Sequence, residues 1–415
     1  MGSSVRVVLC CVLISAGLLL ESCGGGVLAH RVTPSSQLPA STQPADNRAL
    51  FGMDIHHIGA GTPWPSVTAL PAWRLWDARV TWRDLEPFPG VFNFRLLDFY
   101  VRVAQQHHTE LLLTLASTPQ WASLRPTEPA AGGPGAAAPP ARMQDWENFV
   151  TRVTTRYKGR IHAYEILNEP NLPQFFTGTV SDELAMLRDA YQIIKKIDPS
   201  AVVVSPSFTR DGTQELDQLL QMGGAQYMDA VGFHFYFFPG EPETMQPIFD
   251  SVKGVLSAHN VNKPIWDTEI GFGPTQTFTD ENQQAAYFAR TILMHWKDHI
   301  ARAYWYAWDN HRWAHLWMTE PDNKTLTKAG VAFSVLYGWI SSASLTECSI
   351  RSETPNECSF TLANGKPAHI LWVSSGEASF AIPASWQATS MEDLTGSQSA
   401  LSQNLTVTES PVLIQ

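Results

Sequence analysis

Two glutamates carry the first hint of chemistry. One lies in Tyr164-Glu165-Ile166-Leu167-Asn168-Glu169-Pro170-Asn171 and the other in Ile265-Trp266-Asp267-Thr268-Glu269-Ile270-Gly271, each at the end of a short apolar run that reads as a buried strand. They stand 100 residues apart. Where strand and helix alternate at roughly 31 residues per unit, three units span about 93, so the two carboxyl groups fall at the ends of the fourth and seventh strands of an eightfold repeat. Two such groups facing each other can split a glycosidic bond, one protonating the leaving oxygen and the other attacking the anomeric carbon. The first must be protonated at rest and the second ionised, which demands different surroundings. Pro170 supplies an asymmetry by stopping the strand and fixing the turn, which leaves Glu169 at the rim and lets the Asn168 amide bond a sugar hydroxyl.

The elements that would hold these residues alternate along the chain from about residue 50. Strands are expected at Phe51–His56, Trp73–Val80, Glu110–Ala116, Ile161–Leu167, Ala201–Ser205, Ala230–Tyr236, Pro264–Thr268 and Arg302–Ala307. Amphipathic stretches such as Leu96–His107, Gln144–Tyr157, Asp182–Ile197, Pro247–His259 and Glu281–His299 lie between them. This is the pattern of an α/β (β/α)8 TIM barrel over residues 49–340, whose chemistry sits at the carboxyl ends of the strands. A doubly wound open sheet would want a glycine-rich phosphate turn, and Phe51-Gly52-Met53-Asp54 is not one. The stretch Pro126–Pro140, rich in Pro, Ala and Gly, reads as a loop over the mouth. After Ile340 short alternations such as His369-Ile370-Leu371-Trp372-Val373 predict a small β-sandwich-like module over 341–415, too small for a large core of its own and therefore packed on the barrel.

Composition narrows the partners. The 415 residues are 44% hydrophobic and 16% charged, as in a packed globular protein. With 28 Lys and Arg against 39 Asp and Glu, the net charge of −11 repels phosphate backbones, which excludes nucleic acid. The 15 Trp offer broad faces for the apolar sides of a sugar.

The first residues are read as a targeting segment. Arg6 precedes an uncharged, mostly apolar run from Val7 to Leu20, suited to a secretory signal. Leu20-Glu21-Ser22-Cys23 resembles the lipobox of bacterial lipoproteins, although Glu21 is atypical there. The resemblance implies cleavage after residue 22, lipidation of Cys23, a flexible linker over 23–48, and an exported, membrane-anchored protein on the periplasmic or cell-surface side. If Cys10 and Cys11 leave with the signal and Cys23 carries lipid, Cys348 and Cys358 remain, and such a pair in an oxidising compartment forms a disulfide staple or else stays as two small buried thiols.

The two glutamate segments together resemble the acid/base and nucleophile strands of clan A retaining glycoside hydrolases, and the wider pattern is most similar to family 39-like enzymes, the group of β-xylosidases and bacterial exopolysaccharide hydrolases. Arg74-Leu75-Trp76-Asp77, Trp82-Arg83-Asp84-Leu85-Glu86-Pro87, Thr118-Pro119-Gln120-Trp121 and His234-Phe235-Tyr236 support the likeness. By that resemblance Glu169 is the general acid/base and Glu269 the nucleophile. Asp267, two positions earlier, has the parity to point into the barrel but matches less well. Arg74 would pair with Glu269 and keep it ionised, unless Asp77 or Glu165 holds it, and Arg79 competes for the role. His234 and Tyr236 alternate on one strand and so face one side, toward Glu269 or the sugar. Trp121, Trp305 and Trp308 end the third and eighth strands, where each is either a sugar platform or core. His56 is a further candidate for substrate contact. Glu86 reads as a solvated or capping carboxylate.

No metal or cofactor is expected, since His311 and His315 lack the following Glu of HExxH and no phosphate loop, Ser-His-Asp elbow or redox CxxC stands out. The expectation is therefore a retaining glycoside hydrolase that cleaves β-linked oligo- or polysaccharides outside the cytoplasm. The alternatives are a catalytically silent carbohydrate-binding lipoprotein and a glycan transglycosylase using the same two glutamates.

Overall fold

The computed structural model describes residues 46–272, 280–311, 316–351 and 354–415. The segment read as a signal, Cys23, most of the expected linker and His315 lie outside them. Nine strands build the first sheet: β1 (Gly52–Asp54), β2 (Ala72–Leu75), β3 (Glu110–Leu115), β4 (Ala163–Ile166), β5 (Val202–Val204), β6 (Phe208–Thr209), β7 (Val231–His234), β8 (Ile265–Gly271) and β9 (Arg302–Tyr306). Their order is β5-β4-β3-β2-β1-β9-β8-β7-β6, with parallel neighbours throughout. A bridge from Val204 to Ala230 joins β5 to the foot of β7, and one from Asn168 to Ser207 joins the end of β4 to β6, which curls the sheet into a (β/α)8 barrel. The two-residue β6 is additional to the eight expected strands.

Inward side chains change character along the strands. Ala72, Leu112, Ala163, Val204, Ala230, Trp266 and Tyr304 fill one apolar layer, small residues facing large ones. Two residues further along β2, β3 and β4 come Arg74, Thr114 and Glu165, all buried and all polar. The apolar layer thus closes the barrel from below, and the chemistry begins one layer above it.

The outer wall is α1 (Trp82–Leu85), α2 (Arg95–Gln106), α3 (Met143–Tyr157), α4 (Val180–Ile197), α5 (Thr213–Gln221), α6 (Gln246–Ala258), α7 (Glu281–Lys297) and α8 (Lys328–Ile340). The first unit departs from the expected alternation, because a loop over 55–71 replaces its α-helix. The buried carboxylate of Asp309 clamps that loop, accepting from the His56 and His57 backbone N–H groups, both at 2.9 Å, and from Thr62 Oγ1 at 2.7 Å. Strand β2 stops at Leu75 rather than Val80, since Asp77 and Arg79 take left-handed backbone conformations (φ 51° and 59°) that a strand cannot continue through. Helix α8 gave no amphipathic signal because Ala329, Ala332, Phe333, Leu336, Trp339 and Ile340 are all buried. The expected linker also ends earlier than residue 48: Asn47 Nδ2 donates to the carbonyls of Ile340 and Ala343, each at 2.7 Å, clasping the entry of the barrel to the end of α8.

Beyond α8 come β10 (Ser344–Ser349), β11 (Asn356–Thr361), β12 (Pro367–Trp372), β13 (Glu377–Ala381), β14 (Ser390–Glu392), β15 (Gln398–Ala400), β16 (Asn404–Thr408) and β17 (Val412–Ile414). Six form an antiparallel sheet of order β10-β11-β12-β17-β14-β15, and β13 pairs with β16 as a ribbon. Alternation on β12 serves two cores, with Leu371 facing the ribbon residues Leu405 and Val407 and with Ile370 and Trp372 joining the barrel core. Phe360 meets Trp296 of α7 edge-on at 5.3 Å, and Trp372 Nε1 donates to Glu243 at 2.7 Å.

Cys348 and Cys358 stand opposite each other on β10 and β11 and are joined by a disulfide. Closing a loop of this length restricts the unfolded chain by about 3 kcal/mol. Replacing both residues by Ser is expected to lower the urea-unfolding free energy of the protein by about that amount, with activity unchanged; an unaltered midpoint would deny the staple any role.

Candidate active site

Arg74 sits fully buried at the centre of the polar layer. Its Nε donates to Glu165 Oε2 at 2.9 Å, Nη1 to Glu269 Oε2 at 2.7 Å and to Asp54 Oδ1 at 3.4 Å, and Nη2 to Asn168 Oδ1 at 2.6 Å. Because a guanidinium only donates, it fixes the Asn168 amide with its oxygen inward, leaving the NH2 group toward the cavity. Arg79, the competing partner for Glu269, instead lines the cavity wall.

Glu269 owes its direction to a bulge. The register between β8 and β9 passes from Asp267–Ala303 to Ile270–Trp305, so Thr268 and Glu269 together oppose one residue. Both therefore face inward and the parity argument for Asp267 fails: its carboxylate points away from the cavity, toward α7, with Oδ2 2.6 Å from His295 Nε2. Glu269 Oε1 accepts from the Tyr236 hydroxyl at 2.9 Å. Burial, reinforced by Glu269 and Glu169, raises the phenol well above its ordinary pKa, so Tyr236 keeps its proton and donates it. Burial likewise raises Glu269, against the positive charges of His234 and Arg74. Both Glu269 oxygens accept from fixed donors, the hydrogen-bonding of an ionised carboxylate.

Glu169 has different surroundings. It follows β4 in a left-handed conformation (φ 44°), its N–H donating to the Ser207 carbonyl at 2.8 Å, and its Oε1 lies 2.9 Å from His234 Nδ1. His234 Nε2 lies 3.0 Å from Thr268 Oγ1, which donates to Ser207 Oγ at 2.8 Å, which donates in turn to Glu165 Oε1 at 2.6 Å. The two glutamates are thus linked by one hydrogen-bonded chain through His234, Thr268, Ser207, Glu165 and Arg74. Burial opposes a charged imidazole, but the Glu165 and Glu169 carboxylates outweigh it and lift His234 to about 10. Burial would raise Glu165, yet Arg74, His234 and Ser207 hold it well below the carboxylate range, while burial keeps Asp54 well above it despite Arg74.

One oxygen of Glu169, one oxygen of Glu269 and a ring nitrogen of His234 lie within 4.8 Å of one another. Such a trio has the ligand chemistry for a divalent cation, but Arg74 at 2.7 Å from Glu269 and a positive His234 already supply the charge a cation would bring. Above the trio opens a cavity of about 700 Å3 lined by Asn168, Glu169, Tyr236 and Glu269 and walled by Trp76, Phe175, Phe238, Phe272 and Tyr306. The Pro/Ala/Gly loop contributes Ala131, Gly132 and Ala136 to the same wall.

The tryptophan candidates lie elsewhere. Trp305 is buried with Nε1 donating to the Leu316 carbonyl at 3.1 Å, Trp308 is buried, and Trp121 donates to the Glu86 carbonyl at 2.9 Å; none lines the cavity. Strand alternation turns Trp305 outward and its neighbour Tyr306 inward. His56 packs behind Tyr306 (ring centroids 5.0 Å apart) and burial keeps its imidazole neutral. Glu86 is buried rather than solvated, accepting from Trp82 Nε1 and Gly90 N–H, both at 2.9 Å. His311 Nε2 lies 3.1 Å from Asn323 Oδ1. Trp76 stands in a segment singled out from the sequence; Ser207 and Thr268 carry no signal beyond their hydroxyls.

Residues 142–334 match the family model described as glycosyl hydrolase catalytic core. Among solved structures, a family 39 glycoside hydrolase from Bacteroides cellulosilyticus WH2 superposes with a TM-score of 0.72 at 17% identity, over 90% of this chain and 82% of its own. A family 39 β-xylosidase from Caulobacter crescentus gives 0.65 at 14%, over 90% and 96%, and a family 39 enzyme from Xanthomonas axonopodis pv. citri gives 0.64 at 12%, over 90% and 94%. At these identities the likeness is one of fold, and it meets the resemblance read from the two glutamate segments.

The His234 environment has a consequence for stability. A group whose folded pKa of about 10 exceeds its ordinary value near 6.5 stabilises fully below 6.5, and that contribution is lost as pH rises toward 10. The thermal midpoint is expected to fall between pH 7 and 10 in the native sequence, and His234→Gln to flatten the slope. An equal slope in the variant would show that the imidazole is not charged in the folded protein.

Proposed function

We propose that this protein is a retaining glycoside hydrolase that cleaves β-linked glycans outside the cytoplasm, with Glu269 as nucleophile and Glu169 as acid/base. The observation that carries the reading is that one oxygen of each carboxylate lies within 4.8 Å of the other at the floor of one cavity, closer than an intervening nucleophilic water would require. Retaining pairs stand about 5–5.5 Å apart and inverting pairs roughly 6.5–9.5 Å, to admit a water. Glu269, held by Arg74 and Tyr236, attacks the anomeric carbon while Glu169 protonates the departing oxygen. The glycosyl ester on Glu269 is then hydrolysed by a water that gives its proton to Glu169. Thr268 receives a hydrogen bond from His234 Nε2 and so fixes the imidazole against Glu169. Glu269, whose two oxygens accept from the Arg74 guanidinium and the Tyr236 hydroxyl, has the surroundings of an ionised nucleophile, which supports its part in the division of roles.

Export and anchoring rest on the apolar run to Leu20 and on Leu20-Glu21-Ser22-Cys23. Cys23→Ala should move the protein from the membrane to the soluble fraction, and a native protein without lipid by mass spectrometry would remove the anchor.

The stereochemical test is proton NMR of the first-formed product, read before mutarotation, with retention expected; inversion would sink Glu269 as nucleophile. Glu269→Ala should abolish turnover. Glu169→Ala should lose natural substrates while sparing activated aryl glycosides, whose leaving group needs no proton, by about 100-fold or more. Azide should give the retained glycosyl azide with the Glu169 variant and the opposite anomer with the Glu269 variant.

A further inference from the structure

Three guanidinium groups line the cavity in a chain whose net charge is −11: Arg79 after β2, Arg83 on α1 and Arg210 after β6. The acids beside them are spoken for. Asp77 accepts from the Tyr306 hydroxyl at 2.8 Å, Asp84 caps α1 by accepting from Thr81 N and Oγ1 at 3.0 and 2.7 Å, and Glu269 is paired with Arg74. Arg83 donates to the Gly132 carbonyl of the covering loop. Arg79 and Arg210 are exposed and form no ion pair among the described residues.

The backbone aims both of these arginines, of which Arg79 also hydrogen-bonds the Tyr100 hydroxyl while neither is held by a carboxylate among the described residues. Each takes a left-handed conformation, φ 59° at Arg79 and 54° at Arg210, which L side chains rarely adopt and which collects at ligand sites. Arg210 is further held over the Phe238 ring, 5.6 Å from its centroid. The side chain of Asn171 pairs with both the N–H and the carbonyl of Thr209, at 3.1 and 2.9 Å, so the Arg210 loop is tied directly to the segment that carries Glu169. A planar fork with free N–H groups, anchored beside the acid/base, matches an oxyanion and has no need of a neutral sugar.

We propose that Arg79 and Arg210 select a glycan bearing an oxyanion, a uronate carboxylate or a sulfate ester, and are the specificity determinants of this cavity. The inference rests on the glycan-binding part of the function proposed above and is independent of hydrolysis.

The test is calorimetric titration of the full chain carrying Glu169→Gln, which suppresses turnover, with β-1,4-linked oligoglucuronate and with the cello-oligosaccharide of equal length, which differs only at C6. The uronate should bind at least about tenfold more tightly, with a preference that weakens as salt is added. Arg79→Ala with Arg210→Ala should bring the two ligands to one affinity and leave the neutral one unchanged, and the Lys variants should restore part of the difference. A 6-sulfated cello-oligosaccharide separates the sources: tighter binding than the uronate assigns a sulfate, weaker binding a carboxylate. Equal affinities in the parent, binding of neither ligand, or a preference that survives the double variant overturns the proposal. An Arg-dependent preference in a protein whose native sequence cleaves no β-glycan would overturn hydrolysis and leave the selectivity standing.

Discussion

The site is organised around a charge that has no access to water. Arg74 is fully buried and its guanidinium reaches three carboxylates and one amide. Bringing so many acids into the barrel is tolerable only if the charges nearly cancel, and one cation does not cancel three anions. The structure resolves this with a second cation and a neutralised acid: His234 is held protonated by Glu165 and Glu169, and burial keeps Asp54 above the carboxylate range. Removing a member of such a cluster strands a buried charge, at about 3–5 kcal/mol. The electrostatics that position the two glutamates therefore also decide whether the barrel interior is stable at all.

Regular structure does little of the aiming. The strands supply a rigid ring, but Glu269 enters the cavity through the β8 bulge, and Glu169 through a left-handed turn beyond β4. Asp77, Arg79, Ser117 and Arg210 share that left-handed conformation, and all four line the cavity. Such residues persist where surrounding contacts over-determine them. Here these contacts include the Ser207 carbonyl under the Glu169 N–H and the Asn171 clasp on Thr209.

The barrel was legible because the inward and outward faces of its strands are sharply apolar, and the two glutamates because each ends such a strand. His234 and Tyr236 followed from strand parity, and Arg74 from the resemblance carried by its segment. Parity failed at Asp267, where the bulge shifts the phase, whereas Trp305 was chosen for its place at a strand end without regard to alternation, which gives the inward position to Tyr306. Glu86 was read as solvated or capping because its partners, the Trp82 indole and the Gly90 amide, lie four residues to either side and meet it only once α1 and the turn after it have folded. The aromatic wall was harder still, since Phe175, Phe238 and Phe272 come from loops whose paths no periodicity describes.

The C-terminal module bears on how this protein can be altered. Arg290 of α7, itself buried, donates to Glu243 at 2.9 Å and to the Ser374 carbonyl at 3.0 Å, while Trp372 reaches the same Glu243. Glu243 lies just beyond the segment that carries Tyr236 and Phe238, so the far wall of the cavity is braced from inside the module. With Ile370 and Trp372 belonging to the barrel core, there is no seam along which the last 75 residues could be exchanged as a cassette. A chimaera built at Ile340 would inherit a barrel with an open flank, and recombination between relatives must cross over elsewhere or carry the module along.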